Sequence, residues 1–275
     1  MSTDIERPPD PQERDLKPFL WALKLGAFVN LYFLGRTVVP PLTAVDASLL
    51  RPAQILFVVS AFRCLFPVRY RNNVVLHDSP FSSIFITRLL ATFSEVALIY
   101  QLAFVLRLLN VGQVEWVVWV SGGMVLMVLV SQCFVWGAIL TGRRTLFYYE
   151  EVGWGLIFAA NTLASVYLFW GFENAGGNER LLQVNLLFGA VYLPWQLVHL
   201  RALRDDARQR EREEEQEADV TWHTLANGLR RSIRVKSQTS RSAAWGGLLG
   251  VTWMTGYWAT LIPLWAYQIV RLAGR

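Results

Sequence analysis

Ionisable and amide side chains recur inside segments of this chain that are otherwise apolar. The ones able to hydrogen-bond, ion-pair or exchange a proton with a ligand are Arg63, Arg88, Glu95, Gln132, Glu150, Glu151, Gln196 and His199. A charged side chain near the middle of a lipid-spanning helix costs about 2.5–3.5 kcal/mol on insertion scales, so it usually faces other helices or a cavity. These residues are therefore the candidates for a buried site.

Helical spacing predicts that several of these side chains lie together. At 100° per residue, Arg88, Thr92 and Glu95 share one face of a helix. A rise of about 1.5 Å per residue sets the depth of each residue in its segment, and one group lies roughly 6–13 Å to the same side of the midplane. That layer contains Arg88, Gln132, Glu150, Glu151, Gln196 and His199. Arg63 falls slightly to that side of the midplane and Glu95 near it, so the sequence predicts a polar layer in one half of a bundle.

The polar layer has two interpretations. In the first it is a ligand pocket whose ligand-binding residues are Arg63, Arg88, Glu95, Gln132, Glu150 and Gln196. The two arginines would hold an anionic head group, and Glu150 or His199 would act as a catalytic acid or base. Glu150 is preferred to Glu151 because adjacent residues point 100° apart and Glu150 shares a face with Asn161. In the second interpretation the same groups form ion pairs and hydrogen bonds that lock the helices together.

The elements that would position these residues are membrane-spanning helices. Hydrophobic residues make up 53% of the 275 residues and charged residues only 17%, whereas a typical soluble domain is about a quarter charged. Six segments are long enough to cross a bilayer, which takes about 20 helical residues: 18–40, 81–109, 114–141, 146–172, 181–204 and 244–271. Residues 52–67 are bracketed by prolines and barely long enough, so they either span or are re-entrant. The fold class is an all-α integral membrane bundle of about seven transmembrane helices.

Charge distribution predicts the domain organisation and the orientation. The predicted parts are a polar N-terminal tail at 1–17, a transmembrane bundle at 18–204, a stalk with a basic amphipathic helix at 205–243, and a last transmembrane helix with the C-terminus at 244–275. Basic residues concentrate in alternate loops, around Arg69 and Arg71, at Arg143 and Arg144, and in the long loop 201–243, so these loops should be cytoplasmic. The predicted location is the cell membrane, the cytoplasmic membrane if the protein is bacterial. Seven spans put the N-terminus inside, and six put it outside.

The stretch after residue 220 has the pattern of an amphipathic helix. Trp222, Leu225, Leu229 and Ile233 recur at helical spacing. Basic side chains lie close by, at Arg230, Arg231, Arg234 and Lys236. These features predict a helix that lies on the inner leaflet and contacts membrane lipids. The alternative is a cytoplasmic protein partner that binds at 205–236.

Several cofactors and partners are excluded by residue counts. Three His are too few for a histidine-box metal centre or for bis-His haem, and the last predicted span has no Lys to bind retinal. Cys64 and Cys133 form neither a disulfide framework nor a zinc cluster, so no metal site is expected and any cofactor is unknown. Nucleic acid is not expected as a partner, because the basic residues mostly flank apolar segments.

Three classes of function remain after these exclusions. The first and preferred one is a membrane protein that binds a lipid or lipid-like ligand in the polar layer, which the predicted orientation puts in the cytoplasmic half of the bundle. The second is an intramembrane enzyme on a lipid-like substrate, with Glu150 or His199 as acid or base. The third is a small transporter or channel whose path includes Glu95 and Arg88. The sequence contains none of the standard catalytic motifs that would decide between them.

Overall fold

Helices make up nearly all of the regular structure. The computed structural model describes residues 15–70, 73–171, 179–214 and 220–274, and for residues 206–214 the backbone alone. Its helices are α1 (Lys17–Leu23), α2 (Leu25–Thr37), α3 (Ala47–Leu65), α4 (Ile84–Leu109), α5 (Glu115–Thr141), α6 (Thr145–Gly171), α7 (Glu179–Glu214), α8 (Trp222–Arg234), α9 (Gly247–Met254) and α10 (Leu261–Ala273). Most of the predicted polar tail at 1–17 lies outside the described residues. The all-α bundle expected from the sequence is confirmed.

Six helical segments are long and apolar enough to cross a membrane. They are Lys17–Thr37, Ala47–Leu65, Ile84–Leu109, Glu115–Thr141, Thr145–Gly171 and Glu179–Asp205. Consecutive helices from α2 to α7 pack against one another, and α10 packs against α2, α3 and α7. This arrangement is that of a multi-pass bundle in which the final helix closes the packing between the third and seventh helices.

The segment 52–67 is part of a full-length helix and is not re-entrant. Helix α3 begins at Ala47, where the Asp46 side chain caps it by accepting a hydrogen bond from the Ser48 amide at 2.6 Å. Its 19 residues give a length of roughly 28 Å. Pro52 lies buried within the helix without ending it. The sequence interpretation placed the start of this segment too late because it took Pro52 as a boundary.

The prediction of one continuous helix at 244–271 is wrong. Helix α9 ends at Met254 and is followed by a π-helical turn at Thr255–Ala259. The backbone then breaks at Thr260, which has φ −133° and ψ −79°, before α10 begins. The Asn30 side-chain amide donates to the Trp258 carbonyl at 2.9 Å, so a neighbouring helix satisfies part of the irregular backbone. This segment is consequently not among the six uninterrupted spans.

The broken segment still traverses the bundle, so the chain passes through it seven times. Asp15 pairs with Arg241 at one end. At the other end, Gly274 lies close to Leu42 and Val45. The first and last described residues therefore lie at opposite ends of the bundle.

A small sheet ties together the loops at one end. Its strands are β1 (Val68–Arg69), β2 (Val74–Val75) and β3 (Ser237–Gln238), with β1 antiparallel and β3 parallel to β2. We call this the sheet end of the bundle. Lys236 pairs with Asp78 at 2.6 Å and donates to the Ser79 carbonyl at 2.9 Å. Its expected place at the membrane surface stays a prediction. The sheet was not predicted, because two-residue strands carry no detectable periodicity.

Helix α8 packs on the sheet end of the bundle through small residues. Its Gly228 lies directly on the Leu140 carbonyl of α5, and the Ser83 hydroxyl donates to the Ser232 carbonyl at 3.2 Å. The apolar stripe of α8 points away from the bundle, with Trp222 87% and Ile233 46% exposed. Helix α7 continues through the first part of the predicted stalk and ends at Glu214. Residues 215–219 lie outside the described residues, and the cytoplasmic location of the stalk stays a prediction.

Candidate functional site

A cavity of about 180 Å³ lies inside the bundle near the sheet end. Helices α3, α4, α6, α7 and α9, the π-helical turn and the loop after α3 contribute to it. Its polar lining residues are Arg63, Arg69, Arg88, Glu95, Glu150, Glu151 and His199. Its aromatic lining residues are Tyr70, Phe147, Trp154, Trp245, Trp253, Tyr257 and Trp258. The cavity thus combines ion-pairing groups with large apolar walls, as ligand sites commonly do.

Arg88 is held in a dense network on one wall of the cavity. Its guanidinium contacts Glu95 through two nitrogens, at 2.5 and 3.3 Å, and Glu150 lies 3.5 Å away. Gln132 accepts from Arg88 at 2.5 Å and donates to Glu95 at 2.9 Å, while Thr92 donates to the same Gln132 oxygen at 2.9 Å. Two carboxylates therefore face one guanidinium, and the charge of Arg88 is compensated within the protein.

A second polar cluster joins α6 to α7. Gln196 donates from its side chain to the Glu151 carboxylate at 3.0 Å and to the Glu151 carbonyl at 2.8 Å. His199 Nε2 lies 3.5 Å from the same carboxylate, and the imidazole stacks on Trp253 at 5.4 Å between ring centres. The other ring nitrogen, Nδ1, is buried without a hydrogen-bond partner. A carboxylate that orients an imidazole is an arrangement suited to proton transfer.

The preference for Glu150 over Glu151 stays a prediction, but their 100° separation is no longer a reason for it. Both carboxylates line the cavity. Glu150 pairs with Arg88, and Glu151 pairs with His199. A 100° separation still lets neighbouring side chains reach one cavity when that cavity sits over the helix.

Arg63 has a different environment from Arg88. It is only 3% exposed, and its single protein hydrogen bond runs from Nη2 to the Val68 carbonyl at 3.2 Å. Its Nε and Nη1 atoms are buried without an acceptor. The rings of Tyr70 and Trp258 lie 4.9 and 5.0 Å from the guanidinium carbon. Arg63 makes no ion pair with any side chain in the described part of the chain.

Tyr70 lies between the two buried arginines. Its ring centre is 4.9 Å from the Arg63 guanidinium carbon and 5.5 Å from that of Arg88. Burial raises the pKa of the Tyr70 phenol, and the positive charges of Arg63 and Arg88 oppose that rise. Tyr70 is therefore a neutral hydroxyl at neutral pH. Its oxygen is buried without a partner, as is that of Tyr257.

The structure brings most of the sequence-predicted residues to one place. Arg63, Arg88, Glu95, Glu150 and His199 line the cavity. The two predicted glutamines, at 132 and 196, lie behind these residues as hydrogen-bond partners. Whether any of them binds a ligand stays a prediction.

Sequence reasoning missed several lining residues. They are Arg69, Tyr70, Trp245, Tyr257 and Trp258. The first two belong to the loop after α3, where Arg69 served only as a marker of orientation. The others belong to the broken last segment, where Pro263 was the available sign of an interruption. Among the described residues, no group of three or more His, Cys, Asp or Glu side chains could hold a metal ion.

No protein-family model, curated protein or solved structure matches this chain. A helical bundle alone does not define a function, so function has to be inferred from the site.

Proposed function

We propose that this chain is a multi-pass membrane protein that binds a lipid-like ligand in the cavity at the sheet end. The observation that carries the proposal is the lining itself. Three arginines and three glutamates surround a space inside a bundle that could have been filled with apolar side chains. Burying ionisable groups is costly unless they are paired, and a ligand in this space would supply the partners that the protein does not.

The outer surface of the bundle supports a membrane location. Large apolar side chains on four helices, Phe28, Leu126, Leu163 and Leu187, are each at least 62% exposed. Such side chains are suited to contact acyl chains. The basic residues Arg69 and Arg144 and the described parts of the loop 201–243 lie at the sheet end. By the positive-inside rule this supports a cavity in the cytoplasmic half of the membrane.

Helix α8 supports the same orientation. It projects Trp222, Leu229 and Ile233 away from the bundle, and Arg230 and Arg234 are also exposed. Arg231 borders a second, more polar cavity between α8 and α5. An exposed apolar stripe beside basic residues favours contact with an anionic leaflet over a cytoplasmic protein partner at 205–236.

The size of the cavity limits what it can hold. Its volume of about 180 Å³ is smaller than the roughly 300–1,000 Å³ of pockets that enclose a drug-sized ligand. That space fits a polar head group or a short amphiphile. The apolar part of a longer ligand would lie in the bilayer.

Native mass spectrometry of the purified protein tests the proposal. Leu203 lines the cavity, and Leu203→Trp would fill it, whereas Leu187→Trp adds the same side chain on the exposed face of the same helix. We expect a co-purifying amphiphile of defined mass in the wild type and in Leu187→Trp. The Leu203→Trp protein should lack this amphiphile while it still elutes as a folded species. A wild type free of amphiphile, or equal retention by both variants, would contradict the proposal.

The Glu151–His199 pair supports a second candidate function, acid–base catalysis on a lipid-like substrate. An enzyme that uses this pair should lose turnover in Glu151→Gln and His199→Gln while it still binds its ligand. Mass spectrometry of lipid extracts incubated with each variant would detect the product. A wild type that leaves every lipid unchanged would rule out this candidate for the lipids tested.

A further inference from the structure

We infer that the head group bound in this cavity is an oxyanion, a phosphate or a carboxylate, and that Arg63 is the residue that binds it. This inference rests on the proposed function, because it names the chemistry of the same ligand. It also narrows the expectation from the sequence, in which both arginines hold the head group, to Arg63 alone.

The first reason is charge compensation. Arg88 contacts Glu95 through two nitrogens and has Glu150 at 3.5 Å, so a further anion would compete with two carboxylates. Arg63 is equally buried but has no ion-pair partner among the described residues. A guanidinium cannot lose its proton at physiological pH, so its charge has to be balanced from outside the described side chains.

The second reason is the kind of polar atom that lacks a partner. Among the described lining residues, the unpartnered buried atoms are Nε and Nη1 of Arg63, Nε of Arg88, Nδ1 of His199 and the hydroxyls of Tyr70 and Tyr257. The arginine nitrogens can only donate a hydrogen bond and both hydroxyls can donate one, whereas no buried carboxylate oxygen of the described lining lacks a partner. The cavity therefore lacks hydrogen-bond acceptors for these donors, and an oxyanion supplies several acceptor oxygens.

The third reason is the geometry of Arg63. The aromatic rings of Tyr70 and Trp258 flank its guanidinium, which restricts the orientation of that plane. A fixed guanidinium is the side chain best matched to phosphate and carboxylate, since its N–H groups form a rigid fork. Tyr70 adds a neutral hydroxyl next to the same position.

The test uses full-length protein in an uncharged maltoside detergent and four probes. They are dodecyl phosphate, dodecylphosphocholine, dodecanol and inorganic phosphate. Binding is followed by the thermal unfolding midpoint and by quenching of tryptophan fluorescence, to which Trp258 beside Arg63 contributes. We expect dodecyl phosphate to bind most tightly and to raise the midpoint.

The matched variants are Arg63→Gln and Arg107→Gln. Arg107 lies on α4 and donates to the Ser121 hydroxyl at 2.7 Å, outside the cavity lining. Loss of a charge-assisted hydrogen bond is expected to weaken dodecyl phosphate binding by about tenfold to a hundredfold in Arg63→Gln, with no change in Arg107→Gln. Without a ligand, Arg63→Gln should unfold at or above the wild-type temperature, because it removes an uncompensated buried charge.

The outcomes separate the inference from the function on which it rests. If wild type binds dodecanol as tightly as dodecyl phosphate, or if Arg63→Gln keeps the preference for the phosphate, the inference fails and lipid binding stands. If no amphiphile binds, the proposed function fails, and binding of inorganic phosphate that depends on Arg63 would identify a free anion as the ligand. A ligand-free Arg63→Gln that unfolds well below wild type would show a structural role for Arg63 and overturn the inference.

Discussion

Arg88 is the residue on which the largest number of buried polar contacts converge. Replacing it with methionine would leave Glu95 and Glu150 buried without their cation. Breaking a buried ion pair from one side typically costs about 3–5 kcal/mol. We expect Arg88→Met to lower the free energy of unfolding by about that amount, measured by denaturant titration in detergent micelles.

The control for Arg88→Met is Arg107→Met, which removes an arginine of the same helix that has a single hydrogen bond to Ser121. Its loss should cost about 1 kcal/mol. Equal effects of the two substitutions would mean that the network around Arg88 is solvated and contributes little. Arg63 should then contrast with both, since its substitution removes a charge that no described carboxylate balances.

His77 gives a prediction for pH dependence outside the membrane-spanning helices. Burial lowers the pKa of its imidazole, and the nearby positive charge of Lys24 lowers it further. Its ring packs edge-on against Trp21 at 5.3 Å. Below about pH 6.5 the unfolded chain takes up a proton at His77 that the folded chain resists, so stability falls as the pH decreases.

Thermal unfolding of wild type and His77→Gln between pH 8 and pH 5 measures this contribution. We expect the wild type to lose stability over that range more steeply than the variant. Asn227→Gln, which changes a group that does not titrate on the exposed surface of α8, serves as the control and should follow the wild type. Parallel curves for wild type and His77→Gln would contradict the prediction.

At the scale of elements, the docking of α8 depends on one glycine. A Cβ at Gly228 would overlap the backbone carbonyl of Leu140, which cannot move aside as a flexible side chain could. We therefore expect Gly228→Ala to separate α8 from α5. Hydrogen exchange should become faster in the amides of α8, while the exchange of α4 to α6 changes little.

Gly123→Ala is the matched control for Gly228→Ala. A Cβ at Gly123 meets no atom within 4 Å, so alanine there should be neutral or stabilising by up to about 1 kcal/mol through helix propensity. If α8 exchanges at the wild-type rate in Gly228→Ala, the close contact with α5 is not what holds it.

The broken seventh pass depends on a donor from another helix. The Asn30 amide donates both to Gly26 of its own helix and to Trp258 in the π-helical turn, at 2.8 and 2.9 Å. Asn30→Leu would leave the Trp258 carbonyl without this donor. The expected cost is about 1–3 kcal/mol in the free energy of unfolding. Gln183→Leu, which removes an amide from the exposed surface of α7, should cost much less.

The difference between Arg88 and Thr260 explains which parts of the fold could be predicted from the sequence. Arg88, Thr92 and Glu95 share a face because the helix repeat is uniform, so their grouping follows from numbering alone. The break at Thr260 depends on a hydrogen bond from Asn30, a residue about 230 positions away. Tyr70 lines the cavity from a loop, and a loop has no periodic sequence pattern from which its path could be predicted.

At the scale of the whole molecule, seven passes place Asp15 and Gly274, the first and last described residues, at opposite ends of the bundle. We expect Asn227→Cys on α8 to face the cytoplasm and Gln113→Cys, at the other end of the bundle, to face away from it. In a background without Cys64 and Cys133, a membrane-impermeant maleimide added to intact cells should label Gln113→Cys at once.

Asn227→Cys should react with the same maleimide only after the cells are permeabilised. The reverse pattern would overturn the orientation assigned from the basic loops. Labelling of both positions in intact cells would argue against a chain that separates them by a membrane. This measurement also tests the location of the cavity, which lies at the same end as Asn227.

The sheet at the cavity end joins residues that are synthesised far apart in time. Strand β2 leaves the ribosome about 160 residues before β3, and Trp245, Tyr257 and Trp258 follow later still. Until these residues are made, Arg63 and Arg88 lack a large part of their enclosure. The cavity is therefore completed late in synthesis, and we expect a chain truncated before residue 237 to insert most of its helices yet retain none of the proposed ligand.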